Sequence, residues 1–324
     1  MAELTTLLNA KKYLALVDET EWKVFPGSPT YYHMPVTAYD VLFTPENRQA
    51  KRFVGLMQPK HSRNYKGMPK GPLNCGLHGY KPTGIAAGKS LAQVMLEWAF
   101  ASHESLTPPS KSAEWYEGPG VANKRHTGLR VNGATLSGSE DSGVLDLSLD
   151  LMGAQEFGDS VVTTSQTLPA DRELLVDFEF PDIVFELNSV ATLIGSFSWQ
   201  VQCGLKHKYL NARTPQLLRK TQHIETLTIG PMKEDDTWDD FRREVVAMVE
   251  TDAELTIKGF HNGTGDVDTD YAEGVITFPR LSLLTVAEEG GLEDLAMQPL
   301  TFLCLKPDTS SNCSSMAWGD VAAA

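Results

Sequence analysis

Three stretches of this chain carry residue types at spacings that chemistry uses. Gly84–Ile85–Ala86–Ala87–Gly88–Lys89–Ser90 has the glycines, lysine and hydroxyl of a phosphate loop. That loop needs four residues between its glycines so that successive N–H groups wrap the phosphate, and here there are three. The segment reads as a Gly-rich turn before a capped helix. Asp266–Val267–Asp268–Thr269–Asp270 has the acid spacing that opens a calcium loop. Tyr271 stands where that loop requires glycine, and no glutamate stands at its closing position. Asp266, Asp268 and Asp270 therefore read as the solvated tip of a long hairpin, placed to touch a neighbouring subunit.

The third stretch is basic. Arg48, Lys51, Arg52, Lys60 and Arg63 lie close together, and Lys66 and Lys70 continue the run. Two readings stay open: a solvated loop, or a patch complementary to the acidic surface of another copy of the chain. The eight histidines are scattered, and no G-x-S-x-G marks a nucleophile. Cys75, Cys203, Cys304 and Cys313 form no C-x-x-C pair, and no histidine cluster lies at zinc spacing. The thiols read as reduced, in a cytosolic setting. No catalytic residue, metal or cofactor is expected.

The elements that must position these residues are mostly strands. Gly128 to Gly153 reads as a hairpin around Ser137–Gly143. Its returning strand alternates strictly: Leu145, Leu147, Leu149 and Leu151 point one way, Asp146, Ser148 and Asp150 the other. One face belongs on a core, and the wet face is acidic. Further strand-like segments run over 13–17, 36–43, 52–57, 73–77, 174–180, 183–187, 196–205, 224–229, 253–260, 275–286 and 300–305. Many short strands between Gly, Pro, Asn and Asp turns predict a mainly β, antiparallel sandwich or barrel. Two helices flank it, Ser90–Ser102 with a Ser90/Gln93 capping pair, and Thr237 to about Val249.

The order strands, helix, hairpin occurs twice, so the main domain, 30–307, divides into possible halves at about 30–160 and 170–307. Residues 1–29 read as an N-terminal arm or edge strand, whose Tyr13, Leu14 and Leu16 are placed to meet a neighbour. Residues 308–324 read as a loose tail. The 324 residues suffice for one large or two ordinary domains, and the 22% charged and 41% apolar residues suit a globular chain. A net charge of −14 repels nucleic acid. The N-terminus lacks the basic and apolar regions of a secretory signal, and no window reaches the length of a membrane span.

Lys12 to Val17 with Glu19–Thr20 and Pro26–Pro29, Cys75–Gly76 at the end of an extended strand, the helix from Leu91 and the hairpin ending Leu145–Gly153 together resemble the tail tube (major tail) proteins of long-tailed bacteriophages. So do a later helix and the strand Ile276–Leu281 with its Pro279. The resemblance implies a β-sandwich with a flanking helix, assembled in sixfold rings, or in trimers of fused domains, that stack into a tube. It implies a place in the virion tail after assembly in the host cytoplasm, and tape-measure and other tail proteins as partners. It implies DNA passing through without specific binding, and no catalytic residue or cofactor. An acidic wall repels DNA within a Debye length of about 8 Å at physiological salt, and Asp146, Ser148 and Asp150 are the candidates for part of that wall. The alternative is a carbohydrate- or receptor-binding sandwich, with Trp115–Tyr116, Tyr31–Tyr32 and Trp199 lining a groove.

Overall fold

The computed structural model describes residues 13–34, 36–49, 62–79, 89–104, 108–117, 123–158, 178–231, 250–260, 271–286, 299–307 and 312–321. Along the first half the elements are Tyr13–Asp18 (β1), Tyr32–Met34 (β2), Ala38–Tyr39 (β3), Leu42–Gln49 (β4), Ser62–Gly76 (β5), Leu91–Glu104 (α1), Lys111–Tyr116 (β6), Lys124–Ser139 (β7), Leu145–Met152 (β8) and Gln155–Phe157 (β9). Along the second half they are Val184–Leu187 (β10), Val190–Ala191 (β11), Ile194–Gln202 (β12), Leu205–Lys208 (β13), Leu217–Lys220 (β14), Ile224–Pro231 (β15), Thr251–Phe260 (β16), Tyr271–Val286 (β17), Leu300–Cys304 (β18) and Ser315–Val321 (β19). The expected mainly β, antiparallel architecture is present, without a closed barrel.

Period-two alternation builds the main sheet. β8 buries its four leucines and exposes Asp146 and Asp150. β12 buries Phe197, Trp199 and Val201 and turns Ser198 and Gln200 outward. The strands pair in the order β4, β5, β8, β7, β12, β15, β18, β17, β16, β10, β11, with β3 continuing β4 and β19 continuing β18. The first part of β7 leaves this sheet and joins a second layer, β2-β1-β6-β7-β9. One apolar core runs through both halves.

The two halves repeat one topology. β1, β2, β3 with β4, β5, β6, β7, β8 and β9 are matched in pairing by β10, β11, β12, β15, β16, β17, β18 and β19. The bulges match too. The β6–β7 ladder passes from Lys111↔Leu129 to Ala113↔His126, and the β16–β17 ladder from Thr251↔Leu281 to Ala253↔Phe278. The β7–β8 ladder breaks at Asn132, and the β17–β18 ladder breaks at the equivalent Leu284. A bulge is a specific local device, so two at equivalent places tie the halves together beyond a shared strand count. Between the halves, β7 and β12 pair over seven rungs, from Ser139↔Ser196 to Gly133↔Gln202.

Helix α1 begins as its sequence predicts: Gln93 N donates to Ser90 Oγ at 3.2 Å. Leu91, Ala92, Val94, Met95, Leu96, Trp98, Ala99 and Phe100 are all buried, because α1 lies against β7 and β19 rather than on one wet surface. Phe100 stacks on Trp199 at 4.6 Å, so α1 bridges the two halves. The helix expected at 237–249 and the glycine loop at 84–88 lie outside the described residues.

Two boundary expectations are corrected. Tyr13–Asp18 is not an arm or edge strand: it pairs with β2 on one side and β6 on the other, and Tyr13, Leu14 and Leu16 are core residues. Pairing partners distant in sequence, at 32–34 and 111–116, could not be read from a local pattern. Ser315–Val321, expected as loose tail, is a strand paired with β17.

Gly128 shows how tightly the layers meet. Its φ is +69°, and a Cβ there would lie 2.8 Å from Trp22 Nε1 and 2.9 Å from Ala154 Cβ. Its carbonyl accepts from Trp22 Nε1 at 3.0 Å, and its N–H donates to Glu19 Oε1 at 2.7 Å. Left-handed backbone alone costs a residue with a Cβ about 1–2 kcal/mol, so Gly128→Ala is expected to lose about 2 kcal/mol. Urea unfolding measures it, and an unchanged midpoint would contradict the assignment.

Candidate functional site: the polar face of the sheet

The wet face of the main sheet crosses both halves without a break. One row of outward positions runs Asn74, Ser148, Thr135, Gln200, Thr226, Leu303, and ends at Ser282. A parallel row runs Gly76, Asp146, Ser137, Ser198, Thr228, Thr301. Cross-strand neighbours on one face lie within side-chain reach, and several here are bonded. Ser148 Oγ donates to Asn74 Oδ1 at 2.6 Å, and the hydroxyls of Thr228 and Thr301 are 3.1 Å apart. Asn132 Nδ2 donates to Asp150 Oδ2 at 2.6 Å, and Asn132 Oδ1 accepts from Leu205 N at 2.8 Å. A shallow groove follows the seam between the halves, lined by Thr135, Ser148, Asp150, Gln200, Gln202 and Gly204.

Asp146 and Asp150 are exposed on this face and Ser148 is half-buried, all three on one side of β8. The wall is less acidic than β8 alone implied. Its outward residues are mainly hydroxyls and amides, with Asp146, Asp150 and the exposed Asp40 set against the exposed Lys70. The sequence signal of β8 was strong because its alternation is strict. The matching rows on β7, β12, β15 and β18 were missed, since Ser, Thr and Gln at period two carry no charge signature, and only the fold aligns them.

The other sequence candidates divide. Arg48 lies on β4, in register with Arg63 on β5. Lys51, Arg52, Asp266, Asp268 and Asp270 lie outside the described residues. The aromatic groove of the alternative reading is not formed: Trp199 is fully buried, Tyr32 is in the core, and Tyr116 stacks on Tyr13 at 5.0 Å. Cys75, Cys203 and Cys304 are buried, and burial pushes the Cys75 thiol up to about 12 and Cys203 to about 11.

Beneath the face lie polar groups that the sequence did not flag. Glu114 is fully buried and paired with Arg125, whose Nε donates at 2.6 Å. Donor atoms of His223, Glu225 and Cys313 lie within 4.8 Å of one another. Glu225 Oε1 accepts from Trp199 Nε1 at 2.6 Å and its Oε2 lies 3.2 Å from His223 Nε2, so hydrogen bonding accounts for this buried carboxylate. Tyr39, His126 and Glu156 form a chain: Tyr39 Oη is 2.6 Å from His126 Nδ1, and His126 Nε2 is 2.9 Å from Glu156 Oε2. Glu156 Oε2 also accepts Phe43 N–H at 3.0 Å.

The hydrogen bond from His126, above all, holds the Glu156 carboxyl below its ordinary value of 4.5. A depressed carboxyl stabilises the fold above the ordinary value, and that contribution is lost as pH falls through the lowered one. Glu156→Gln is therefore expected to reduce stability at pH 7 and to flatten the loss of stability below about pH 4.5. Denaturant titrations from pH 3 to 7 read both, and an unchanged acid slope would contradict the assignment.

Among the described residues no helix is long and apolar enough to cross a membrane. No curated protein sequence matches the chain. A family model described as phage tail tube protein matches residues 9–184, which spans β1 to β9 and the first half's share of the polar face.

Proposed function

The chain belongs to the phage tail tube protein family, and from that premise we propose that it polymerises into stacked rings whose bore is lined by the polar sheet face and carries genome DNA during ejection. Membership places it in a structural family of the virion tail rather than an enzyme family. The observation that carries the proposal is the mainly hydroxyl- and amide-bearing face that runs across both halves, interrupted by apolar residues at Leu42 and Leu303. DNA moves through a channel only if no wall group holds it. Cationic walls bind through counterion release at each phosphate. Neutral donors and acceptors with a small excess of carboxylates hold water and leave the duplex free.

Each half contributes four strands to the face, in the order β4-β5-β8-β7 and β12-β15-β18-β17. A pseudo-sixfold ring then needs three chains. About 24 strands at ~4.8 Å spacing and ~40° tilt close a barrel about 50 Å across at the backbone. That bore admits a DNA duplex with a layer of water. The tape-measure protein occupies it during assembly in the host cytoplasm.

Negative-stain electron microscopy of the concentrated, purified protein tests the proposal. Rings or tubes are expected. Discrete monomers at all concentrations would overturn it.

A further inference from the structure

Ring closure needs two free sheet edges, and the duplicated topology identifies them. Within the chain, β12, the outer strand of the second half's share of the polar face, is received by β7 of the first half. Its equivalent in the first half is β3 with β4. Among the described residues it pairs only with β5. The receiving part of β7, Gly133–Ser139, corresponds to positions 285–291, of which Thr285 and Val286, at the end of β17, are among the described residues. Among the described residues, Ser282–Val286 pairs only with β18. One edge lies at each end of the eight-strand polar face.

Equivalence also fixes the register. In the first half β2 and β3 stand where β11 and β12 stand in the second. Ala15↔His33 matches Glu186↔Ala191, and Tyr39↔Leu73 matches Phe197↔Ile229. Counting along, Phe43 stands for Val201 and Thr44 for Gln202. On the other edge Leu284 stands for Asn132, Thr285 for Gly133 and Val286 for Ala134. We propose that β17 of one copy receives β4 of the next in the register of the β7–β12 seam, with Thr285 opposite Thr44 and Val286 opposite Phe43. The proposal rests on the tube reading above, and its partner is a second copy of this chain.

Exposed apolar surface supports it independently. Leu42 is 54% exposed, Phe43 39% and Leu284 52%, and all three sit on these two edges. Val201, which stands for Phe43 at the covered seam, is 2% exposed. Bare, apolar edges invite pairing, and a folded monomer guards them. Here Glu156 Oε2 takes the Phe43 N–H, a donor that the incoming strand must take over. Pro45, equivalent to Cys203, has no N–H to offer, so the counterpart of the Cys203 N–H bond to Asn132 O is absent and the shared ladder ends at Thr44. The interface is heterologous and repeats head to tail, the kind that closes into a ring.

Disulfide trapping tests the register. The seam rung Gly133↔Gln202 adjoins the Cys203 N to Asn132 O bond at 2.7 Å, so it is a narrow, non-hydrogen-bonded pair. Such a pair suits a disulfide. The native thiols are poor competitors, since burial raises all four. Thr44→Cys with Thr285→Cys in one chain, oxidised during assembly, is expected to give reducible covalent dimers and trimers. Neither single variant forms the same product, and Thr44→Cys with Ser282→Cys gives at least tenfold less. Equal yields from the two pairs, or tubes with no cross-link, would overturn the edge assignment while leaving the tube reading intact. Persistent monomers with no cross-link would overturn both. As a second arm, Leu284→Asp is expected to leave the circular dichroism unchanged and to lower the assembled fraction at least tenfold, and normal assembly of that variant would contradict the proposal.

Discussion

Tubes built from the Asp146→Lys, Asp150→Lys variant are expected to hold DNA that wild-type tubes release. Both aspartates are exposed on a strand whose other side is buried leucine. Exposed charges contribute under ~1 kcal/mol each, so folding survives even though the bond from Asn132 to Asp150 is lost. In the proposed ring of three chains, a duplex would meet six new lysines at each level. Binding through about six phosphate contacts falls on the order of 10³-fold between 50 and 200 mM salt, and that steepness identifies the contact as electrostatic. Co-sedimentation of labelled duplex with tubes across a salt series measures it. Loss of assembly would make the β8 face an interface between copies. Assembly without added DNA affinity would place the face on the outside of the tube.

The second large effect is expected from Trp199→Ala. Trp199 is fully buried where the halves meet, stacked on Phe100 of α1, and its Nε1 donates to the buried Glu225. Removing a core tryptophan costs about 3–5 kcal/mol through lost burial and the cavity left behind. Leaving a buried carboxylate short of a donor adds to that. The sum is a large part of the stability of an ordinary domain. The variant is expected to unfold at much lower denaturant and to fail to assemble. Trp199→Phe keeps most of the packing and loses the donor, so it falls between the two. Equilibrium unfolding followed by circular dichroism reads all three proteins. A loss under about 1 kcal/mol for Trp199→Ala would show that the seam is not part of the core.

What was legible in the sequence was what local pattern encodes. The leucine–aspartate alternation of Leu145–Met152 marked a strand with one wet face, and Ser90 with Gln93 marked the start of α1. The repeated order of elements hinted at duplication. The repeated topology itself was not legible, because the halves share bulge positions and registers rather than residues: Asn132 stands where Leu284 does, and Thr44 where Gln202 does. Tyr13–Asp18 misled for a related reason. Its two partners lie elsewhere in the chain, and a short apolar strand looks the same at an edge as in the middle of a layer. Glu114 and Arg125 gave no signal either, since a charged residue on a strand reads as wet unless its partner's position is known.

The central claim is that the polar face common to both halves lines the bore of a ring. Cryo-electron microscopy of the assembled protein tests it most directly. The account predicts a continuous β-barrel around the axis, with Asp146, Ser148, Thr135 and Gln200 projecting into the channel and β4 of each copy beside β17 of the next. A map in which these side chains face outward, or in which copies meet through other strands, would contradict it.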